Sequence, residues 1–142
     1  DEAYTIPFGE AEFVREGEDV TLIAMGGAIL HAQAAAEALA KDGIECDIVD
    51  PRTTSPLDEE TILESVENTG RKDNDEESQP RCSLASDIAS ILADKGFISL
   101  KAPIKKVTCP HTPVPFAPSL EDEFLPNANR IIAAAKNAVN YA

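Results

Sequence analysis

Residues 46–58 read CDIVDPRTTSPLD, and they decide the fold because they join a strand-forming run to a helix through a stiff loop. Pro51 and Pro56 fix the backbone path of that loop. Between them, Arg52 is predicted to lie on a turn at the carboxyl end of a strand, where α/β proteins place binding groups. Asp58 is the predicted N-cap of the helix that follows.

The sequence before this stretch predicts a strand, a helix and a second strand. Residues 20–25 are apolar without strict alternation, which is typical of a strand covered on both faces. Residues 28–42 are rich in Ala and predict a helix, so the order implies a right-handed parallel crossover. We interpret Gly26 and Gly27, between strand and helix, as a site of tight packing, with an anion bound at the helix N-terminus as the alternative.

Residues 71–80 read RKDNDEESQP and interrupt this alternation where a third strand is expected. Asp and Asn are poor strand formers, and burial of an unpaired charge costs several kcal/mol. We therefore predict a solvated loop or a disordered segment here, with the third strand (residues 71–79) replaced by charge. The expected architecture is a three-layer α/β/α sandwich with a mostly parallel sheet, for which a flavodoxin-like strand order is the natural expectation.

Beyond the charged segment, the pattern of apolar residues again alternates between helix and strand. Residues 83–95 predict an amphipathic helix and residues 103–108 a strand. Residues 109–118 contain four prolines and predict an extended arm with little conformational freedom. Residues 127–141 predict a last helix with one apolar stripe.

Length and charge limit the classes of protein that the chain can represent. Its 142 residues suit one domain, residues 1–142, in which residues 1–18 form an N-terminal segment. A net charge of −14 argues against nucleic-acid binding and suits a basic protein partner. No apolar run reaches the ~18 residues of a membrane span, and nothing resembles a signal peptide. We therefore expect a cytoplasmic protein that binds neither nucleic acid nor membrane.

The side chains with reactive groups form no recognisable catalytic pattern. Cys46, Cys82 and Cys109 are odd in number and widely spaced, which favours a reducing compartment over a disulfide framework. His111 lies near Cys109, but no third metal ligand is nearby, and His31 is interpreted as a packed or interface residue. The residues alone thus predict a binding or assembly domain without catalytic, cofactor-binding or metal-binding residues.

The loop at residues 50–58 resembles a signature of the transketolase C-terminal domain family. More closely, the chain is similar to the β subunit of the thiamine-diphosphate-dependent decarboxylating component of 2-oxo acid or acetoin dehydrogenase complexes. The order and spacing of several short pieces carry the resemblance. These pieces are residues 6–9, 14–21, 50–58, 65–66, 69–71, 102–108, 113–116, 120–121 and 125–126.

The resemblance implies that the chain is the C-terminal domain of such a β subunit and thus a fragment of an oxidoreductase. The implied parent reaction is oxidative decarboxylation of pyruvate or a related 2-oxo acid with acyl transfer to lipoamide, with acetoin cleavage as the alternative. Thiamine diphosphate and magnesium would be bound by other parts of the parent enzyme. The isolated domain is therefore expected to bind no cofactor and to be inactive.

The resemblance also implies partners and contact residues. The partners are the α subunit, a second β subunit in an α₂β₂ heterotetramer, and a basic docking domain of the acyltransferase core. The predicted subunit-interface residues are Arg52, Thr53, Pro56 and Asp58 in the loop and His111, Pro113 and Phe116 in the arm.

Two other interpretations stay open at this point. The first is a standalone flavodoxin-like module that binds an anion or small molecule at Gly26 and Gly27. The second is an engineered fold variant, because relatives carry an apolar strand where this chain has residues 72–79. That substitution puts the central strand and the native assembly in question.

Overall fold

A mixed sheet organises the computed structural model, which describes residues 3–141. Its strands are β1 (Glu12–Arg15), β2 (Val20–Ala24), β3 (Cys46–Asp50), β4 (Lys72–Asp75) and β5 (Lys105–Val107). They lie in the order β1-β3-β2-β4-β5, and only β1 is antiparallel to its neighbour. The predicted mostly parallel α/β fold is confirmed, and the four parallel strands follow the 2-1-3-4 order of flavodoxin-like sheets.

Helices cover both faces of the sheet. They are α1 (Ala28–Lys41), α2 (Glu59–Thr69), α3 (Leu84–Lys95), α4 (Pro118–Phe124) and α5 (Ala128–Val139). Leu22 and Ile48 face α1 and α5 in one apolar cluster, while Ile23 and Val49 face α2 and α3 in a second cluster. The alternation along β2 and β3 therefore divides the core between the two helical layers.

Local sequence signals set the ends of the helices. Asp58, Ser83 and Asn127 each accept a hydrogen bond from the backbone N–H three residues further on, at the starts of α2, α3 and α5. Helix α2 ends at Gly70, whose φ of 74° is the left-handed conformation that glycine adopts without strain. A Cβ atom at Gly70 would also lie 2.5 Å from the side chain of Lys101.

The predicted loop at residues 71–80 is wrong for residues 72–75, which form β4 within the sheet between β2 and β5. Asp73 is paired with Leu22 of β2 on one side and with Lys105 of β5 on the other. Backbone N–H and C=O groups make this ladder whatever the side chains are, and a loop here would leave the facing groups of β2 unpaired. The requirement for backbone pairing therefore prevails over the poor strand propensity of Asp and Asn.

The side chains of β4 are buried at an electrostatic cost. Lys72 and Asp73 are 0% exposed, and Asn74 and Asp75 are 1% exposed. The Asn74 amide donates to the Ala85 carbonyl at 3.1 Å, but the Lys72 ammonium and both carboxyl groups have no hydrogen-bond partner among residues 3–141. Burial lowers the pKa of Lys72 well below its ordinary value, raises that of Asp73 to about 7, and raises that of Asp75 well above its ordinary value. The neutral forms of these groups are therefore favoured in the folded chain.

Replacement of Lys72 by Met should stabilise the domain, because it removes an unpartnered buried amine and keeps a side chain of similar length. We expect the free energy of unfolding at pH 7 to rise by about 1–4 kcal/mol in urea denaturation. A buried lysine with a depressed pKa lowers the free energy of unfolding, and this penalty disappears as the pH rises towards the pKa of an unfolded lysine, about 10.4. The stabilisation gained from Lys72→Met should therefore shrink at alkaline pH.

The matched control is Lys41→Met at the exposed end of α1, which should change stability by less than about 0.5 kcal/mol. A Lys72→Met chain no more stable than its parent would contradict the burial of this side chain.

Candidate functional site

Arg52 is strained and held from two sides at the carboxyl end of β3. Its φ of 57° lies in the left-handed region, which non-glycine residues rarely adopt. The Asp50 carboxylate accepts the Arg52 backbone N–H at 2.9 Å, and the Arg52 guanidinium forms an ion pair with Glu12 of β1. Strain of this kind is found at functional sites, where the surrounding structure holds it in place.

Thr53 and Pro56 fasten the same loop to the N-terminal segment. The Thr53 hydroxyl accepts the Gly9 backbone N–H at 2.9 Å and donates to the Pro56 carbonyl at 2.8 Å. Gly9 has a φ of +78°, and a Cβ atom there would lie 2.9 Å from the Pro56 ring. The segment at Gly9 can therefore pass the loop this closely only because it has no side chain.

Asp58 is the third attachment between the loop and the N-terminal segment. Its carboxylate accepts the backbone N–H of Ala11 at 2.9 Å and that of Thr61 at 3.1 Å, together with the Thr61 hydroxyl at 2.8 Å. Partial burial raises the pKa of Asp58, but these hydrogen bonds outweigh it and hold the pKa below its ordinary value. The Asp58 side chain thus caps α2 and also holds the backbone of the N-terminal segment at Ala11, directly before β1.

An open cleft of about 460 Å³ lies between the N-terminal segment and the ends of β2 and β3. Arg52 and Thr53 line it, together with Phe8, which is 86% exposed, and Ile6. Sequence reasoning assigned no site role to Ile6 and Phe8. The available signal was two large apolar residues around Pro7 in a segment that predicts neither helix nor strand.

The arm that follows β5 presents the other predicted residues to solvent. His111, Pro113 and Phe116 are all exposed, Phe116 fully. The start of the arm is held by hydrogen bonds from the Cys109 N–H to the Ser78 carbonyl at 2.9 Å and from the Gln79 amide to the Thr112 carbonyl at 3.2 Å. Pro118, predicted as part of the arm, is the first residue of α4.

A second cleft, of about 250 Å³, runs beside the arm, and its lining is largely apolar. Its lining residues are Pro110, Thr112, Pro113, Pro115, Leu120, Glu123 and Phe124. Exposed apolar side chains that gather on one surface are typical of protein contact sites. Val114, Phe116 and Leu120 are such side chains. Leu120 lines this cleft, and Val114 and Phe116 directly follow its lining residues Pro113 and Pro115 in the chain.

The seven predicted residues therefore form two patches on one edge of the sheet. The loop follows β3 and the arm follows β5, and both strands run parallel, so their carboxyl ends share that edge. Strands β2 and β4 lie between β3 and β5. At the usual strand spacing, the backbones of β3 and β5 are therefore about 14 Å apart. A partner that contacts both patches must span the carboxyl edge of the whole parallel sheet.

The remaining candidate groups offer little chemistry. Burial raises the pKa of the Cys46 thiol to about 12 and also raises that of Cys109. Glu77 lies beside Gly27, where a Cβ atom would come 2.8 Å from its carboxylate oxygen. Among residues 3–141 no three His, Cys, Asp or Glu side chains converge in a way that could hold a metal ion. In the same part of the chain, no helix combines the length and apolarity needed to cross a membrane.

The fold and its two patches define an α/β domain whose most distinctive surfaces are suited to contact with other proteins. Residues 9–131 match the sequence model of the family described as transketolase, C-terminal domain. The chain belongs to the transketolase C-terminal domain family, as its sequence resemblance predicted.

Particular relatives agree with this assignment. The chain is 53% identical over 130 residues to the acetoin:2,6-dichlorophenolindophenol oxidoreductase subunit beta of Bacillus subtilis (strain 168), covering 92% of this chain and 38% of that protein. It is 38% identical over 141 residues to the pyruvate dehydrogenase E1 component subunit beta of the same organism, covering 99% of this chain and 43% of the relative. The chain thus spans about two fifths of the length of these relatives.

A solved structure shares the fold over almost the whole chain. It is described as split gene transketolase, inactive beta4 tetramer, and superposes with a TM-score of 0.82 at 27% identity. The match covers 98% of this chain and 45% of that chain. The arrangement of sheet and helices seen here is therefore that of a domain within a larger subunit.

Replacement of Asp58 by Ala should loosen the loop, because it removes the cap of α2 and the acceptor for Ala11. We expect a loss of about 1–2 kcal/mol in the free energy of unfolding at pH 7, measured by chemical denaturation. A carboxyl group whose pKa is depressed by folding stabilises the folded state above the pKa of the unfolded state, about 3.9. This stabilisation is lost as the pH falls below that value. The difference between parent and variant should therefore narrow below pH 4.

Asp87→Ala is the control, since Asp87 is an exposed carboxylate in the first turn of α3 and not its N-cap. Equal losses in the two variants would contradict the anchoring role of Asp58.

Proposed function

We propose that this chain is the C-terminal subunit-assembly domain of the β subunit of a thiamine-diphosphate-dependent dehydrogenase component. The observation that carries the proposal is the 53% identity to an acetoin oxidoreductase β subunit across 92% of the chain. Identity to the pyruvate dehydrogenase β subunit is 38%, so this comparison favours acetoin over a 2-oxo acid as the substrate of the parent enzyme.

The two patches on the carboxyl edge support an assembly role. Phe8 and Phe116 are large, exposed apolar side chains. Phe8 lines the first cleft, and Phe116 follows Pro115, which lines the second. Aromatic side chains of this kind are frequent anchors at protein interfaces. We assign contacts with the α subunit and a second β subunit to these two patches, with Arg52, Thr53, Pro56 and Asp58 in one and His111, Pro113 and Phe116 in the other.

The opposite edge of the sheet supports contact with a basic partner. An open groove of about 650 Å³ lies at the start of β2 and β3, with the ring of Phe13 in its lining. Glu16, Glu18, Glu45 and Glu64 surround it, and the chain as a whole carries a net charge of −14. This charge attracts Lys and Arg side chains, which is the property expected of a surface that receives the basic docking domain of an acyltransferase core.

The described residues do not fit thiamine diphosphate and magnesium. A diphosphate needs cationic or N–H donors, whereas the helix N-terminus at Gly27 already has the Glu77 carboxylate beside it. No cluster of metal-ligating side chains exists within residues 3–141. We therefore assign the cofactor to other parts of the parent enzyme and expect the isolated domain to have no activity.

The same geometry weakens the alternative of a standalone anion-binding module. The anion would have to occupy the start of α1 at Gly26 and Gly27, and the Glu77 carboxylate repels a second negative charge there. A cytoplasmic location stays a prediction, with which the free thiols of Cys46, Cys82 and Cys109 are consistent.

Isothermal titration tests the cofactor assignment. Thiamine diphosphate with magnesium, titrated into the 142-residue chain, should give no binding heat. Micromolar binding would contradict the assembly-domain proposal. Inorganic phosphate is titrated in parallel, and its binding, abolished by Gly27→Glu in a folded chain, would favour the anion-binding module.

Phe116→Ser in the full-length β subunit should weaken assembly with the α subunit, because it removes an exposed aromatic anchor. A hot-spot residue contributes about 2 kcal/mol or more, so the dissociation constant from sedimentation should rise at least about 30-fold. Phe97→Ser is the matched control, because Phe97 is 73% exposed but lies outside both patches. Equal effects of the two substitutions would contradict the interface assigned to the arm.

A further inference from the structure

Asp73 and Asp75 lie on the same face of β4, beneath α5. Residues paired side by side in a parallel sheet project to the same face. Asp73 is paired with Leu22, and Asp75 is paired with Ala24 and Val107. These apolar partners belong to the cluster that Ile131 and Ala135 of α5 complete.

The other two side chains of β4 confirm this orientation. Asn74 is paired with Ile23 and donates to the Ala85 carbonyl on α3. Lys72 is paired with Thr21, whose hydroxyl bonds Ser65 and Thr69 of α2. Both Asn74 and Lys72 therefore face α2 and α3, which leaves only the two carboxyl groups on the α5 side.

The surroundings of the two carboxyl groups provide no partner for ionised oxygens. Neither group accepts a hydrogen bond of good geometry from residues 3–141, although the Asn74 backbone N–H favours the ionised form of Asp73. On β5, Lys105 is the paired neighbour of Asp73, while Lys106 faces away and bonds the Pro80 carbonyl. Strand β2 contributes no titratable group.

The two helices on this face also direct their charges elsewhere. On α5, Arg130 donates to the Thr108 carbonyl at 2.5 Å and Lys136 pairs with Asp42 at 2.6 Å. The titratable residues of α1 are His31, Glu37 and Lys41, whereas the residues that α1 buries are alanines and Leu39. Lys105 is thus the nearest cation on this face, and Lys72 acts on the pair from the other face of β4.

We propose that the pair of carboxyl groups on Asp73 and Asp75 makes the packing of α5 on the sheet a pH-sensitive switch. The helix is held while both groups carry protons, since burying a neutral carboxyl group costs far less free energy than burying an ionised one. Loss of both protons places two like charges side by side under Ile131 and Ala135. The helix is then released so that water can reach the carboxylates.

The direction of the pH response follows from proton linkage. Desolvation raises the pKa of Asp73 from its ordinary 3.8 to about 7, and it also raises the pKa of Asp75 well above its ordinary value. A carboxyl group whose pKa is higher in the folded state than in the unfolded state stabilises the fold at low pH. This stabilisation is complete below the pKa of the unfolded state, and it is lost as the pH rises through the pKa of the folded state. Lys72 has a depressed pKa and responds in the opposite direction, so the test must cancel its contribution.

The experiment compares hydrogen exchange in the 142-residue chain and in its Asp73→Asn/Asp75→Asn variant at pH 5.5 and 8.5. Both chains also carry Lys72→Met, because the pKa of Lys72 depends on the two carboxyl groups and its contribution would otherwise differ between the chains. Each pH unit changes the equilibrium about tenfold per titrating group, so the protection factors of α5 in the parent should fall relative to the variant by at least about 30-fold. The protection of α2, on the opposite face, should fall much less.

The control variant is Asp122→Asn/Glu123→Gln, which makes the same charge change on exposed α4 and should respond to pH as the parent does. If the amide variant fails to fold, Asp73→Leu/Asp75→Val supplies apolar replacements for the same comparison. The proposal is overturned if α5 responds equally in the parent and the carboxyl-free chain, or if α2 and α5 lose protection together.

Discussion

The pairing of the β4 backbone with β2 on one side and β5 on the other is the constraint on which the other elements depend. The residues just after β4 position much of the carboxyl edge. Glu76 donates its backbone N–H to the Val107 carbonyl at 3.2 Å, and its carboxylate accepts the Ala85 N–H of α3 at 2.6 Å. Ser78 accepts the Cys109 N–H where the arm begins. Loss of β4 would therefore displace α3, β5 and the arm together.

The central strand also shows where sequence reasoning reaches its limit. The strand at Cys46–Asp50, the Asp58 cap and the α/β alternation follow from local patterns, and the structure contains all three. Local propensity predicted a loop at Lys72–Asp75, whereas the structure has a strand there. The strand is determined by its pairing with β2 and β5, whose residues are far away in the sequence. The same limit applies to Thr53 and Asp58, whose partners Gly9 and Ala11 lie more than forty residues away.

The two edges of the sheet differ in chemical character, which separates two kinds of contact. The carboxyl edge exposes the aromatic rings of Phe8 and Phe116, which suits close apolar packing. The amino edge gathers carboxylates around Phe13, which suits a basic surface that associates through long-range attraction. In the proposed assembly role, this difference would let the domain contact other subunits on one side while the other side stays accessible to a second partner.

The N-terminal segment does not behave as a tether to this domain. The backbone of Gly9 is bonded to Thr53 and that of Ala11 to Asp58, while Glu12 is paired with Arg52. A displacement applied to the segment must therefore move the strained loop and the first turn of α2 with it. The segment and the loop are therefore mechanically coupled, so that a displacement of either one is transmitted to the carboxyl edge of the sheet.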